Sequence, residues 1–267
     1  MKKFGFILLC FLSVVFAGCN NLKVYDYVKN NIAEYRQNLY VGENEKIAVS
    51  LTSGCREKDY VVNGLCTNPI EFAVLTFNLK QKQTMPETVN YVLTVGTSRY
   101  DGLLEKNPYN GSYVCDIKKI IESSDVITAK IIAGDFVEYV ELKSVTDNWN
   151  VNYDNALRLA CVELKNELLD LIENNEFYGE CYIKIINDEV VSENHYFWYV
   201  NFVSRSGKTF AVVIDPISNE IMAKKVVWLK RKIFRFFFIL KFKLMFVVVM
   251  CLNPFILLTK KMVVLNF

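Results

Sequence analysis

Between residues 46 and 145 the chain runs in short apolar–polar alternations, broken at close intervals by turn formers, and no long helix can be threaded through such a pattern. Ile47, Val49 and Leu51 alternate with polar neighbours, as a strand with one buried face requires. Further β-rich runs cover 70–79, 91–95, 112–117, 126–133 and 136–145. Asn63-Gly64, Asn68-Pro69, Asn107-Pro108, Asn110-Gly111 and Gly134-Asp135 punctuate them with residues whose backbones accept reversal. About seven short strands in roughly a hundred residues predict an antiparallel β-sandwich of immunoglobulin-like architecture over 46–147. The Cys…Trp…Cys core of true antibody domains is absent, so only the architecture is expected. Asn110-Gly111-Ser112 matches a glycosylation acceptor, but the turn reading accounts for it.

Helical periodicity flanks this region on both sides. Val24, Tyr25, Val28, Ile32, Tyr35 and Leu39 recur at steps of three and four, which predicts a helix over 24–39 stopped by Gly42. With a polar tether it fills 20–45. Beyond residue 150, Asn152 or Asp154 can cap a second helix carrying Ala156, Leu157, Ala160, Cys161, Leu164 and Leu168 on one stripe. Strands follow at 181–186, 196–204, 208–214 and 220–226, with Ser206-Gly207 and residues 215–219 as turns. One helix before an antiparallel meander predicts a separate helix-plus-sheet domain over 150–226, and the expected class is α+β.

The amino terminus carries its own signal. Met1-Lys2-Lys3, an apolar run over 4–16 and the small residues Ala17-Gly18 make a secretory leader, too short to cross a bilayer as a stable helix. Phe16-Ala17-Gly18-Cys19 resembles the bacterial lipobox, which implies cleavage before Cys19 and acylation of its thiol. Phe16 departs from the usual aliphatic residue, and Val15 and Ala17 also suit ordinary cleavage after Ala17. Residues 1–19 are therefore expected to form a signal peptide with a lipobox, cleaved so that Cys19 remains as the acylated first residue of a lipoprotein on the extracytoplasmic face of the membrane.

Charge separates the rest. Twelve of the 31 basic residues lie in the leader and in 224–267, leaving 19 against 29 acids, so residues 20–223 carry about −10. Such a surface excludes nucleic acid as a partner, because phosphates demand basic surface. The tail over 227–267 has no Asp, Glu, Gly, Ala, Ser or Gln. Its longest uncharged run, 244–259, is short for a span and broken by Asn253-Pro254, and its basic flank faces the wrong way for a segment entering from outside. A shifted reading frame, a membrane-surface segment and a true span remain open for it.

Among the chemistry-bearing residues, cysteines come first. Setting aside Cys10, Cys19 and Cys251 leaves Cys55, Cys66, Cys115, Cys161 and Cys181, an odd number without a C-x-x-C pair, so no structural zinc site is expected. Cys55 and Cys66 flank a short loop and could be bridged. Cys161 sits on the apolar helix face and could meet a strand bearing Cys181. For both pairs, packing as free small hydrophobes is the competing reading. Gly54-Cys55-Arg56-Glu57-Lys58-Asp59 places a cation beside a thiol, which lowers a thiol's pKa as a thiol-dependent hydrolase would need, but an ordinary edge loop or a disulfide is the favoured reading. His195 is the sole histidine, at a strand start before Tyr196-Phe197-Trp198-Tyr199, where a solvated or capping role is expected rather than a catalytic one. The acidic pairs Glu43/Glu45, Glu57/Asp59 and Glu138/Glu141 are the numbers a chain with 29 acids produces by chance.

Trp198-Tyr199-Val200-Asn201-Phe202, Gly207-Lys208-Thr209-Phe210, Val213-Ile214-Asp215-Pro216 and Asn219-Glu220-Ile221 together resemble PepSY-like modules, with Ser218-Asn219 where Thr-Gly is usual. The resemblance covers 150–226 and implies a PepSY-like or cystatin-like fold, of a kind associated with envelope proteins that modulate proteases. Residues 38–42, 49–51 and 54–57 resemble uncharacterised lipoproteins of low-GC Gram-positive bacteria, which implies location rather than activity. The expected function is non-catalytic binding of a protein or peptide at the envelope, with protease modulation its narrower form. A structural spacer and a thiol-dependent hydrolase are the alternatives. No cofactor, metal or catalytic residue is expected.

Overall fold

The computed structural model describes residues 23–57, 69–81, 84–122, 126–187 and 195–228. The leader with Cys19, the loop with Cys66 and the tail from 229 onwards lie outside the described residues. Residues 23–28 are helical (α1) and pass through the 3-10 turn Lys29–Asn31 into an extended strand, β1 (Ile32–Glu43). The helix expected over 24–39 thus ends near its middle, and Gly42 lies inside a strand.

A β-bulge explains why β1 looks helical in sequence. Against β2 (Ile47–Glu57), Arg36 faces Gly54 and Asn38 faces Ser53, so Gln37 is an extra residue. Tyr35 opposes Cys55 and Tyr40 opposes Leu51. Cys55 and Leu51 share a face of β2, so Tyr35 and Tyr40 share a face of β1 although five residues separate them. The bulge breaks the two-residue period and leaves apolar spacings that mimic 3.6.

The strands β3 (Pro69–Leu79), β4 (Thr88–Val95), β5 (Ser98–Lys106), β6 (Tyr113–Ile117), β7 (Ile127–Ala133) and β8 (Phe136–Ser144) follow. Their spatial order from β1 is β1-β2-β3-β6-β5-β4-β7-β8, and β8 pairs back onto β1 through Tyr40↔Ser144 and Val41↔Lys143. Every neighbour is antiparallel, so the eight strands close into a barrel. Leu51, Leu75, Phe77, Leu93, Leu104 and Ile131 are fully buried inside it, as expected of a barrel just wide enough for side chains to fill.

Helices α2 (Tyr153–Glu163) and α3 (Lys165–Leu169) come next, then a small hairpin of β9 (Ile172–Glu173) and β10 (Glu176–Phe177). The meander β11 (Gly179–Asn187), β12 (Tyr196–Ser204), β13 (Lys208–Ile214) and β14 (Ile221–Trp228) completes the order. It is not a separate layer: β11 pairs in parallel with the first residues of β1, Ile32↔Cys181 and Tyr35↔Ile183. One twelve-stranded sheet results, rolled shut at one end and open at the other.

The expected fold class, an immunoglobulin-like sandwich followed by a PepSY-like or cystatin-like helix-plus-sheet domain, is therefore overturned. Strand number and alternation are alike in sandwiches and barrels, and only pairing distinguishes them. The closing strand here is the one that the helical spacing conceals.

On the open part, α2 covers the sheet. Asn152 caps it by accepting from the Asn155 amide at 2.9 Å, worth about 1 kcal/mol. Ala156, Leu157, Ala160 and Cys161 are buried against a core that includes Trp198, Phe202 and Phe210. Tyr25 of α1 donates to Asp154, whose other oxygen accepts from Arg158 at 3.0 Å. Lys224 of β14 lies 3.3 Å from Glu163 and 3.1 Å from Glu167, fastening the outermost strand to the helices.

Two glycines permit the seam. A Cβ on Gly42 would meet the Glu141 carbonyl oxygen at 2.1 Å, and one on Gly54 would meet the Tyr35 carbonyl oxygen at 1.9 Å. Backbone cannot swing aside as a side chain does, so Gly42→Ala and Gly54→Ala are each expected to cost about 2 kcal/mol or more in urea denaturation at pH 7. A change below about 0.5 kcal/mol in both would contradict the close approaches that define the barrel seam and the bulge.

Candidate functional site

The strand β1 belongs to two neighbours along one edge. Residues 32–35 pair with β11, residues 40–41 pair with β8, and the Leu39 carbonyl accepts from Val145 at 2.8 Å. Between them the two partners diverge, and the bulge at Gln37 lies in the fork. A cleft of about 420 Å³ opens there, within the range of small-molecule sites.

Each wall has a local cause. From β1 come Gln37 and Asn38, turned by the bulge. The connection between β6 and β7 is held against them: Ser53 donates to the Ile121 carbonyl at 2.7 Å and the Asn38 amide to the same oxygen at 3.2 Å. That brings Glu122 to the rim, where Gln37 donates to its carboxylate. The chain leaving β8 makes a turn closed by the Trp149 amide on the Thr146 carbonyl at 3.1 Å, placing Thr146, Asp147 and Trp149 along the opposite wall.

The floor is aromatic and fixed. Trp198 is 1% exposed and its indole N–H donates to the Val151 carbonyl at 2.7 Å. Trp149 meets it edge to face, with centroids 5.0 Å apart and planes at 76°, a geometry worth about 1 kcal/mol beyond its area. Tyr153 stacks on Tyr35 at 4.4 Å and 9°. Burial, and then the hydrogen bond with Cys55, raises the Tyr35 hydroxyl pKa, so the phenol stays neutral. Among the described residues two carboxylates line the cleft and no lysine or arginine does.

The residues singled out in sequence are scattered. Cys19 and Cys66 lie outside the described residues, so a Cys55–Cys66 bridge does too. Cys55 is a half-buried free thiol on β2, opposite Tyr35. Cys161 and Cys181 are free and fully buried in one core, on α2 and β11. Burial pushes Cys161 up to about 12; Cys181 rises well above its ordinary value through burial and then the nearby Cys161. His195 stacks on Phe197 at 4.5 Å and does not line the cleft. Glu43 is paired with Lys80 at 2.9 Å, and Glu138 is held below the usual carboxylate range chiefly by Lys46 at 2.5 Å. Glu138 and Glu141 are three apart on one strand and point to opposite faces, so they cannot act on one bond. Of the aromatic run, only Trp198 reaches the cleft.

Sequence reasoning missed Gln37, Glu122, Asp147 and Trp149. The only local signal was a tryptophan set among polar loop residues in Asp147-Asn148-Trp149-Asn150, where a purely structural loop has little use for so large an apolar ring. Among the described residues there is no metal-binding cluster, and no helix is long and apolar enough to cross a membrane. No protein-family model matches the chain, and no curated protein or solved structure matches it either.

Raised thiols keep their protons in the folded chain longer than in the unfolded one. The stability they contribute is complete below about pH 9 and is lost as pH rises towards about 12. Urea midpoints are therefore expected to fall between pH 8 and pH 10.5, and iodoacetamide is expected to modify Cys161 and Cys181 only after unfolding. Rapid labelling of either thiol in the native protein at pH 8 would refute this.

Proposed function

We propose that the chain is a lipid-anchored binding protein of the extracytoplasmic membrane face, which holds a ligand in the cleft at the sheet fork without transforming it. The observation that carries this reading is the cleft itself: a fixed aromatic floor with amide and carboxylate walls, where one strand is shared by two diverging neighbours. Three free thiols, Cys115, Cys161 and Cys181, are raised by burial, which makes them poor nucleophiles and weighs against hydrolysis by any of these three. The anchor rests on Met1-Lys2-Lys3, the apolar run and Cys19. Protease modulation, the narrower expectation, loses its support with the PepSY-like fold that the single twelve-stranded sheet overturns. The negative charge of residues 20–223 supports a partner other than nucleic acid.

Fragment screening of the full chain by ligand-observed NMR, followed by mapping of hits, tests the binding role. Hits are expected to converge on the cleft and to be recovered chemically unchanged. Hits scattered over the barrel surface, or none, would favour a spacer, and chemically altered fragments would favour an enzyme. For the anchor, Cys19→Ser is expected to move the protein from the membrane fraction to the medium. A variant still retained in the membrane would place the attachment elsewhere.

A further inference from the structure

We infer that the ligand of this cleft is a neutral saccharide, with one sugar ring resting on Trp149 and its hydroxyls taken up by the amides and carboxylates around it; the inference rests on the cleft being a binding site at all. The case is one of matching groups. An apolar ligand would cover Gln37, Asn38, Glu122 and Asp147 without replacing their bonds to water, which costs more than the aromatic contact returns. An anion meets two carboxylates and, among the described residues, no lining cation.

Polar, uncharged groups remain, and the walls carry both kinds of hydrogen-bonding atom. Acceptors are the carboxylates of Asp147 and Glu122 and the amide oxygens of Gln37 and Asn38; the Asn38 nitrogen already donates to Ile121 and Ser53, and one N–H of Gln37 to Glu122. Donors are the indole N–H of Trp149 and the Nδ2 of Asn152, whose Oδ1 is spent on the helix cap, while the Thr146 hydroxyl is shared with Ser144 at 3.4 Å. A hydroxyl is the group that donates and accepts at one atom, so a polyhydroxylated ring serves both sets at once. An organic ammonium ion would suit the carboxylates and the aromatic rings but leave the wall donors unanswered.

The aromatic platform is also set in advance. Trp149 is braced edge to face on Trp198, and Trp198 is locked by Val151, so little side-chain entropy remains to be lost on binding. A pyranose presents a patch of C–H groups on one side and hydroxyls round its rim. Half-exposed Trp149 offers the surface for the first, and the fork of β1 offers the partners for the second.

The test is titration of the full chain, in a detergent without sugar groups, with neutral trisaccharides of glucose, galactose, mannose and N-acetylglucosamine, read by tryptophan fluorescence. Tetramethylammonium chloride is titrated in parallel. At least one saccharide is expected to quench with saturation, and raising salt from 0.05 to 0.5 M is expected to change its affinity less than about twofold, because no charge is exchanged. Trp149→Ala is expected to weaken it at least about tenfold, and Trp149→Phe, which keeps an aromatic face, less than about threefold. Should Trp149→Ala not fold, Gln37→Ala, which leaves the floor intact, is expected to weaken binding at least about threefold with an unchanged melting temperature.

Failure of all four saccharides while fragments still map to the cleft would overturn the saccharide inference and leave the binding role standing. Failure of both would remove the binding role as well. Saturable, salt-sensitive binding of tetramethylammonium alone would assign the cleft to an organic cation instead.

Discussion

The structure depends on one strand serving two partners along a single edge. Over its first residues β1 hydrogen-bonds β11, further on it hydrogen-bonds β8, and along its other edge β2 accompanies it throughout. A strand can change partners on one edge only if the two partners diverge, and divergence leaves backbone that must be bent or covered. The bulge at Gln37 bends it, and the glycines at 42 and 54 let carbonyl groups approach where any side chain would collide. Closure of the barrel, attachment of the meander and opening of the cleft follow from that arrangement.

The bulge also keeps one face continuous. The side of β1 that lines the barrel at Tyr40 is the side that faces α2 at Tyr35, so barrel interior and helix-covered core are successive stretches of a single sheet face. Where one covering gives way to the other, the chain between β8 and α2 crosses, and its polar loop with Trp149 becomes the wall of the cleft. The candidate site is therefore a by-product of a topological transition, the kind of place where backbone irregularity and side-chain chemistry coincide.

Buried chemistry elsewhere serves the fold. The free thiols of Cys161 and Cys181 pack as small apolar groups between α2 and β11, and burial keeps them protonated. Tyr25, Asp154 and Arg158 tie the first helix to the second, with the Tyr25 hydroxyl pushed up to about 12 by burial and then by Asp154. Of the paired carboxylates that would suggest hydrolysis, Glu43 and Glu138 are ion-paired with lysines and Glu138 and Glu141 lie on opposite strand faces, while Asp59 lies outside the described residues.

The sequence alone determined much of the local order: most of the strands between residues 46 and 145, though not β5, the capped helix near residue 153, and the meander that follows. Those features are carried by periodicity and turn chemistry, which act over a few residues. Tertiary structure decided what no short window holds: that residues 32–43 extend rather than coil, that β8 returns to β1, and that Gln37, Glu122, Asp147 and Trp149 meet. A bulge alters the period by a single residue, and its spacing is then indistinguishable from helical spacing until the partner strand fixes which residues oppose one another. Closure and the cleft both hang on that pairing, which joins residues about a hundred positions apart.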